Sequence, residues 1–278
     1  MRTGLIVTHN GNAHFDEFLA LSLILAVEKD VHFYIERREP TLSELDDPDI
    51  YVVDIGNRYE PERRNFDHHQ DLNIPASFVL VADYLKVSSY LSHSPWWQFK
   101  DRIDRRGGFR MARDFGLESL DPMHSPLETF MLKQFSKSPL SVYQQMKLFG
   151  ADLIESGRAL EEQIAFWRQC QMVQLKDKRV AIALTEDTTG SLPFFDTLSD
   201  PPHIRVNYDG RGEGWSLSTV RDAEGVNFAR IAHLPEIKFA HKNGFIAKTH
   251  KRLPLDRVLQ LVEQAIEPSE EATGHLAV

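Results

Sequence analysis

The sequence predicts an α/β protein of two domains, a mostly parallel sheet domain joined by a long helix to a smaller α/β domain. Three observations carry this reading. In the first half, short continuous apolar runs alternate with helical patterns, as in a sheet covered on both faces. A long amphipathic stripe then occupies residues 140–173. Beyond it the pattern returns to short strands separated by loops rich in Gly and Pro, and the chain's 278 residues exceed what one ordinary core holds.

Leu5, Ile6 and Val7 form the first apolar run, and a polar loop follows it with His9, Gly11, His14, Asp16 and Glu17 before an apolar helix from Phe18. Strands are expected over 32–35 and over 50–53, the latter ending in Asp54, Ile55 and Gly56. Between them, residues 40–48 read as a solvated connecting segment. After a charged loop over 58–64 come Phe66 and the triplet Asp67, His68, His69, and then a helix over 75–87. Trp96, Trp97 and Phe99 precede Asp101 and Asp104, which share one face if that segment is helical, and Gly107 and Gly108 end it. The stripe of Val142, Met146, Phe149, Leu153, Leu160, Ile164 and Trp167 is core. Strands at 180–184, 203–208 and 215–220 and a last helix at 255–266 complete the pattern. The expected boundaries are 1–139 for the first domain, 140–178 for a helical connector, 179–266 for the second domain, and 267–278 for a loose tail with Glu267, Glu270 and Glu271.

Hydrophobic residues at 42% and charged residues at 26% are the balance of a globular chain that folds by burial. A net charge of -9 gives no diffuse attraction to membranes or to long duplex nucleic acid, so a phosphate-bearing partner must be held locally. The single cysteine, Cys170, excludes a disulfide framework or a cysteine-rich zinc site within the chain and suits a reducing cytoplasm. No export signal is visible, and the longest apolar stretch, 19–27, falls well short of the ~20 residues a membrane span needs.

The chemistry gathers where strands are expected to end. His9, His14, Asp16, Asp54, His68, His69 and Asp104 are imidazoles and carboxylates suited to a divalent metal, with manganese, iron, cobalt and zinc all permitted by ligand type. Seven ligands exceed the needs of one ion. A pair of ions sharing a carboxylate, ~3.5–4 Å apart, accounts for the number and points to phosphoester hydrolysis. His32, His93, His124, His203 and His233 are set aside as surface or hydrogen-bonded histidines, and Arg105, Arg106, Arg110 and Arg113 as a solvated basic face.

These residues also form a recognisable pattern. His9-Asn-Gly-Asn-Ala-His14-Phe-Asp16-Glu, Val53-Asp54-Ile-Gly and Asp67-His68-His69-Gln resemble the first three motifs of the DHH phosphoesterase superfamily. The branch they are most similar to is the melanocyte-proliferating-gene exonuclease family, which has a tyrosine and a proline before its Asp-His-His, as Tyr59 and Pro61 stand here. Phe239-Ala-His241-Lys-Asn-Gly244-Phe245-Ile246 resembles that branch's Phe-Val-His-x-x-Gly-Phe-Ile. Departures are His14, where much of the wider superfamily has aspartate, Arg105-Arg106-Gly107-Gly108 in place of an Asn-Gly, and Ala247-Lys248 in place of a glycine pair.

The resemblance implies a DHH-type metal domain, two manganese ions, and a second domain that grips substrate. By position, His9, His14 and Asp54 would hold one ion and Asp16, Asp54, His68 and Asp104 the other, with Asp101 an alternative to Asp104. Asp54 would bridge and His69 would face the phosphate, which makes Asp54, His68 and His69 the implied catalytic residues, while Asp67 would orient the histidines. His241, Gly244 and Lys248 would receive the substrate's phosphate or terminal nucleotide. The expected function is hydrolysis of short single-stranded nucleic acid, exonuclease-like and on RNA. Two rivals remain: a phosphatase or pyrophosphatase on small phosphates, and a binding module without turnover. The Ser-Arg-Lys tripeptide of the related pyrophosphatases is missing from the C-terminal region, which disfavours the first.

Overall fold

The computed structural model describes residues 2–120 and 125–267, so the acidic-tail reading, apart from Glu267, and His124 fall outside the described residues. The chain divides into two compact units, Met1–Ala159 and Leu160–Val278.

In the first unit, β1 (Arg2–Thr8) leads through the His9–His14 loop into α1 (Phe15–Val27). β2 (Val31–Arg37), α2 (Leu42–Asp46), β3 (Ile50–Val53), β4 (Tyr59–Glu60) and β5 (Asn65–Phe66) follow. The sheet order is β2-β1-β3-β5-β4, parallel except for the edge pair β4–β5. Ile6, Val7, Val52 and Val53 are fully buried, which is why the strands read as continuous apolar runs and not as alternation. α1 is apolar almost all round and is buried from Asp16 to Ala26.

The helices that follow are α3 (Ser77–Tyr84), α4 (Ser88–Leu91), α5 (Pro95–Arg106), α6 (Gly108–Asp114), α7 (Pro126–Lys137) and α8 (Tyr143–Trp167), of which α3, α5 and α7 pack on α1. Gly150 of α8 meets α1 backbone to backbone: a Cβ there would come within 2.0 Å of the Ser22 carbonyl oxygen. Only glycine fits that crossing.

Three elements differ from the sequence expectation. Residues 40–48 are not merely a solvated connection, because Thr41 and Glu44 form a reciprocal capping box that starts α2. The 75–87 helix is shorter, α3 ending at Tyr84, and a separate helix, α4, follows the expected span. The long helix ends at Trp167, and Met172 and Val173, which continue its apolar stripe, pair instead with Ala181 and Val180 across two strands.

Those strands open the second unit: β6 (Gln171–Leu175), β7 (Lys178–Ala183), α9 (Ser191–Phe195), β8 (Ile204–Tyr208), β9 (Trp215–Thr219), β10 (Ile237–Ala240), β11 (Ile246–Thr249) and α10 (Leu255–Ala265). The sheet order is β10-β11-β9-β8-β7-β6, and only β7–β8 is parallel. Val258, Leu261, Val262 and Ala265 of α10 recur at helical spacing and share one core with Val180, Ile182, Ile204, Val206 and Leu217. The result is a mixed α/β architecture with two sheets and the long helix α8 between them in sequence. Among the described residues no helix is long and apolar enough to cross a membrane.

Candidate metal centre

In the first unit the carboxyl ends of β1, β3 and β5 bring the polar loops together, as open parallel sheets do. His9 follows β1 and Asp54 follows β3. Asp54 adopts a left-handed backbone, φ 60°, which a non-glycine residue holds only under strain, and its backbone N–H donates to Phe66 at 2.9 Å. That conformation turns its buried carboxylate toward three elements at once. Its Oδ2 lies 3.5 Å from His9 Nε2, its Oδ1 lies 3.5 Å from His68 Nε2, and Ser77 Oγ donates to Oδ1 at 3.1 Å.

Asp16 is fixed by the start of α3: its two carboxylate oxygens accept from the backbone N–H groups of Ser77 at 2.9 Å and Phe78 at 2.6 Å. Burial, with Asp54 and Asp104 nearby, still holds its carboxyl well above the usual carboxylate range. His68 Nε2 stands 2.9 Å from Asp104 and 3.5 Å from Asp16. Burial pulls the His68 imidazole down, but the carboxylates of Asp104 and Asp54 outweigh it and raise it to about 9. His9 is likewise raised to about 9, first by Glu17.

Three groups of donor atoms lie close enough to hold a metal ion: His9, His14, Glu17 and Asp54; Asp54, His68 and His69; and Asp16, His68 and Asp104. Asp54 belongs to two of them and so does His68. Oxygen and imidazole nitrogen donors in this ratio fit a divalent cation of the manganese-to-zinc series. The Nε2 atoms of His9 and His68 fit it as well, being buried without a hydrogen-bond partner although carboxylates stand at ion-pair distance. Buried groups left in that state are costly without a cation to satisfy them.

The two aspartates of α5 have separate surroundings. Asp104 joins the cluster, whereas Asp101 pairs with Arg105 and accepts from the backbone N–H of Ala76 at 2.9 Å. Arg106 pairs with Asp114 at 2.9 Å. Asp67 meets His69 and not His68: its Oδ1 lies 2.7 Å from His69 Nδ1, and its Oδ2 accepts from the backbone N–H of Asn57 at 2.6 Å. His69 is more than half exposed beside a pocket of about 280 Å³ that His9, His14, Asp54 and Asp67 also line.

His241, Gly244 and Lys248 belong to the other unit, Leu160–Val278. His241 stacks against Phe245 at 4.3 Å, and its Nδ1 accepts from Asn243 N–H at 3.1 Å. Gly244 has φ 77°, and a Cβ there would come within 2.1 Å of Asn227 Oδ1. The Lys248 ammonium is paired with the buried carboxylate of Asp209.

Sequence reasoning missed Glu17, Arg37 and Ser77. Glu17 is fully buried, accepts from the backbone N–H of His14 at 2.9 Å, lies 3.1 Å from His9 Nε2, and is neutralised by Arg37 at 3.2 Å. Its adjacency to Asp16 is the available signal, but a glutamate in a helix's first turn is ordinary. Nothing local marks Ser77 or Arg37.

Residues 5–77 match the family model described as Uncharacterised protein family (UPF0160), MYG1_exonuc. The MYG1 protein of Chlamydia trachomatis serovar D is 34% identical over 94 residues, which is 32% of this chain and 31% of that protein. Human MYG1 exonuclease is 36% identical over 97 residues, which is 34% of this chain and 22% of the human protein. The match therefore spans less than a third of either relative. A crystal structure of an uncharacterized protein from Helicobacter pylori G27 aligns over 95% of this chain and 99% of its own at 11% identity, but with a TM-score of 0.25 the likeness carries no argument. The match to the family model thus lies within the first unit, and the curated relatives similar to this chain carry the MYG1 name.

Proposed function

We propose that the chain is a metal-dependent phosphodiesterase that removes nucleotides from short single-stranded nucleic acid, RNA foremost, with two manganese ions at the strand-end cluster. The observation that carries this reading is the convergence of Asp16, Asp54 and Asp104 with the partnerless Nε2 atoms of His9 and His68. The relatives' name, MYG1 exonuclease, supports the class of reaction. His9, His14 and Asp54 would hold one ion and Asp16, Asp54, His68 and Asp104 the other, with Asp54 common to both sets. When bound, such a pair polarises the phosphate and makes water nucleophilic near neutral pH.

The chain's own residues supply the rest. Ser77 and the start of α3 hold Asp54 and Asp16 in place, so the carboxylates need not reorganise when a cation arrives. Asp67 accepts from His69 Nδ1 and so fixes the ring, with which His69 faces the phosphate. Within the unit Leu160–Val278, His241 and the backbone at Gly244 are the proposed substrate contacts. Lys248 adds charge there only to the extent that Asp209 leaves it free.

The test offers the manganese-supplied protein a labelled RNA oligomer, a DNA oligomer, pyrophosphate and a nucleoside bisphosphate. Stepwise shortening of an oligomer supports the proposal. Hydrolysis of pyrophosphate alone transfers the assignment to a phosphatase, and bound metal with no turnover of any substrate transfers it to a binding module.

A further inference from the structure

Next to the metal cluster is a pocket of about 750 Å³ within the first unit, and His14, Asp16 and Asp104 line it. Lys100, Lys133 and Lys137 line the same pocket, with Asn12 and Ser136. Lys100 is committed elsewhere: it pairs with Glu128 at 2.6 Å and sits 4.4 Å over the Phe15 ring. Lys133 and Lys137 are not. They stand four residues apart on α7, hence on one face, and no ion pair engages either of them among the described residues. Two uncommitted ammonium groups in a pocket that also reaches metal-type ligands suit an anion bound beside the metals.

A second pocket, of about 400 Å³, shares Phe15, Glu128 and Leu132 with the first and is otherwise lined mainly by apolar side chains, among them Phe18, Met131 and Phe149. Inorganic phosphate or pyrophosphate has nothing to place there. A ligand that fills both pockets carries a phosphate and a flat, largely apolar group within a few bonds of it, which is the chemistry of a nucleotide. The two volumes lie within the ~300–1,000 Å³ usual for small-ligand sites.

We propose that these joined pockets seat one nucleotide of the substrate, its phosphate toward Lys133 and Lys137 and its base against Phe15, Leu132 and Phe149. This rests on the phosphodiesterase reading and adds a specificity to it: recognition of one nucleotide unit is completed inside the Met1–Ala159 unit. Aromatic stacking is tolerant of base identity, so the site selects nucleotides over inorganic phosphates without selecting sequence.

The experiment is equilibrium binding of a fluorescent nucleoside monophosphate to the full chain supplied with manganese, with metal content measured alongside. Two variants are compared with the parent. Lys133→Glu/Lys137→Glu, both sites being exposed, should weaken binding at least about tenfold. Leu132→Trp, which fills the apolar pocket, should also weaken it about tenfold while leaving competition by inorganic phosphate unchanged. Parent-like nucleotide affinity in the lysine variant, with its metal content intact, overturns the proposal, and RNA hydrolysis by the parent would then leave the phosphodiesterase reading standing. Weakened nucleotide binding in both variants, in a protein that shortens no oligomer, retains the pocket and overturns the phosphodiesterase reading instead.

Discussion

Histidines follow strand ends in both units, and their surroundings are opposite. Around His9 and His68 carboxylates crowd one another, Asp54 holds a left-handed backbone, and imidazole nitrogens are buried without hydrogen-bond partners. Around His241 the local polar groups are matched: its Nδ1 accepts an amide, Gly244 fits under Asn227, and Lys248 neutralises Asp209. Both regions resemble family motifs, yet they differ in how far their polar groups are satisfied within the chain. Unsatisfied, crowded charges of the first kind are a recurrent mark of ligand sites.

The comparison can be pressed hardest with pH. His9 and His68 are raised to about 9 in the metal-free chain, so below that pH a cation must displace a proton from each. Metal affinity should rise with pH up to about 9, by as much as about 100-fold per unit for two displaced protons, as read by titration calorimetry. Stability of the metal-free chain should move the other way. A histidine raised by folding contributes stability that is complete below 6.5 and lost as pH rises through about 9, and the raised carboxyl of Asp16 has the same sign. Melting temperature should therefore fall across that window without metal, and a flat profile contradicts the cluster's electrostatics.

A smaller effect is expected at Glu17. Glu17→Gln removes the charge that Arg37 neutralises and that faces His9, and should cost about 10- to 100-fold in metal affinity with the fold retained by circular dichroism. Unchanged affinity would reduce Glu17 to a helix cap. Smallest is Lys248→Met, which strands a buried carboxylate and should lower stability by about 2 kcal/mol in urea unfolding without changing metal content. If it raised KM for an oligomer and left stability alone, Lys248 would be a substrate contact and the C-terminal segment would be less settled than its ion pair indicates.

Much of the fold was legible because its signals are local. The strand, polar loop and helix from Leu5 onward, the strand ending at Asp54 and the Asp-His-His triplet all announce themselves within a few residues. Their convergence follows from one rule about strand ends. What stayed hidden depends on contacts between distant positions. Ser77 reaches Asp54, Arg37 reaches Glu17, and Gly150 clears the Ser22 carbonyl, and none of these carries a mark in its own neighbourhood. The end of α8 at Trp167 was obscured because Met172 and Val173 prolong a helical stripe while belonging to a strand. The short helix α2 differs, since the Thr41 and Glu44 capping box that starts it is local and lies in a run whose acidic composition reads as solvated.

Asp54 belongs to two of the ligand groups and is proposed to be shared by two ions. This sharing is tested by counting manganese in the purified full chain and in Asp54→Ala, by mass spectrometry of the metal after equilibration and removal of free ion, with circular dichroism to establish that both are folded. Two ions per chain are expected for the parent and loss of both from the variant. A folded Asp54→Ala chain that retains two ions would contradict the sharing.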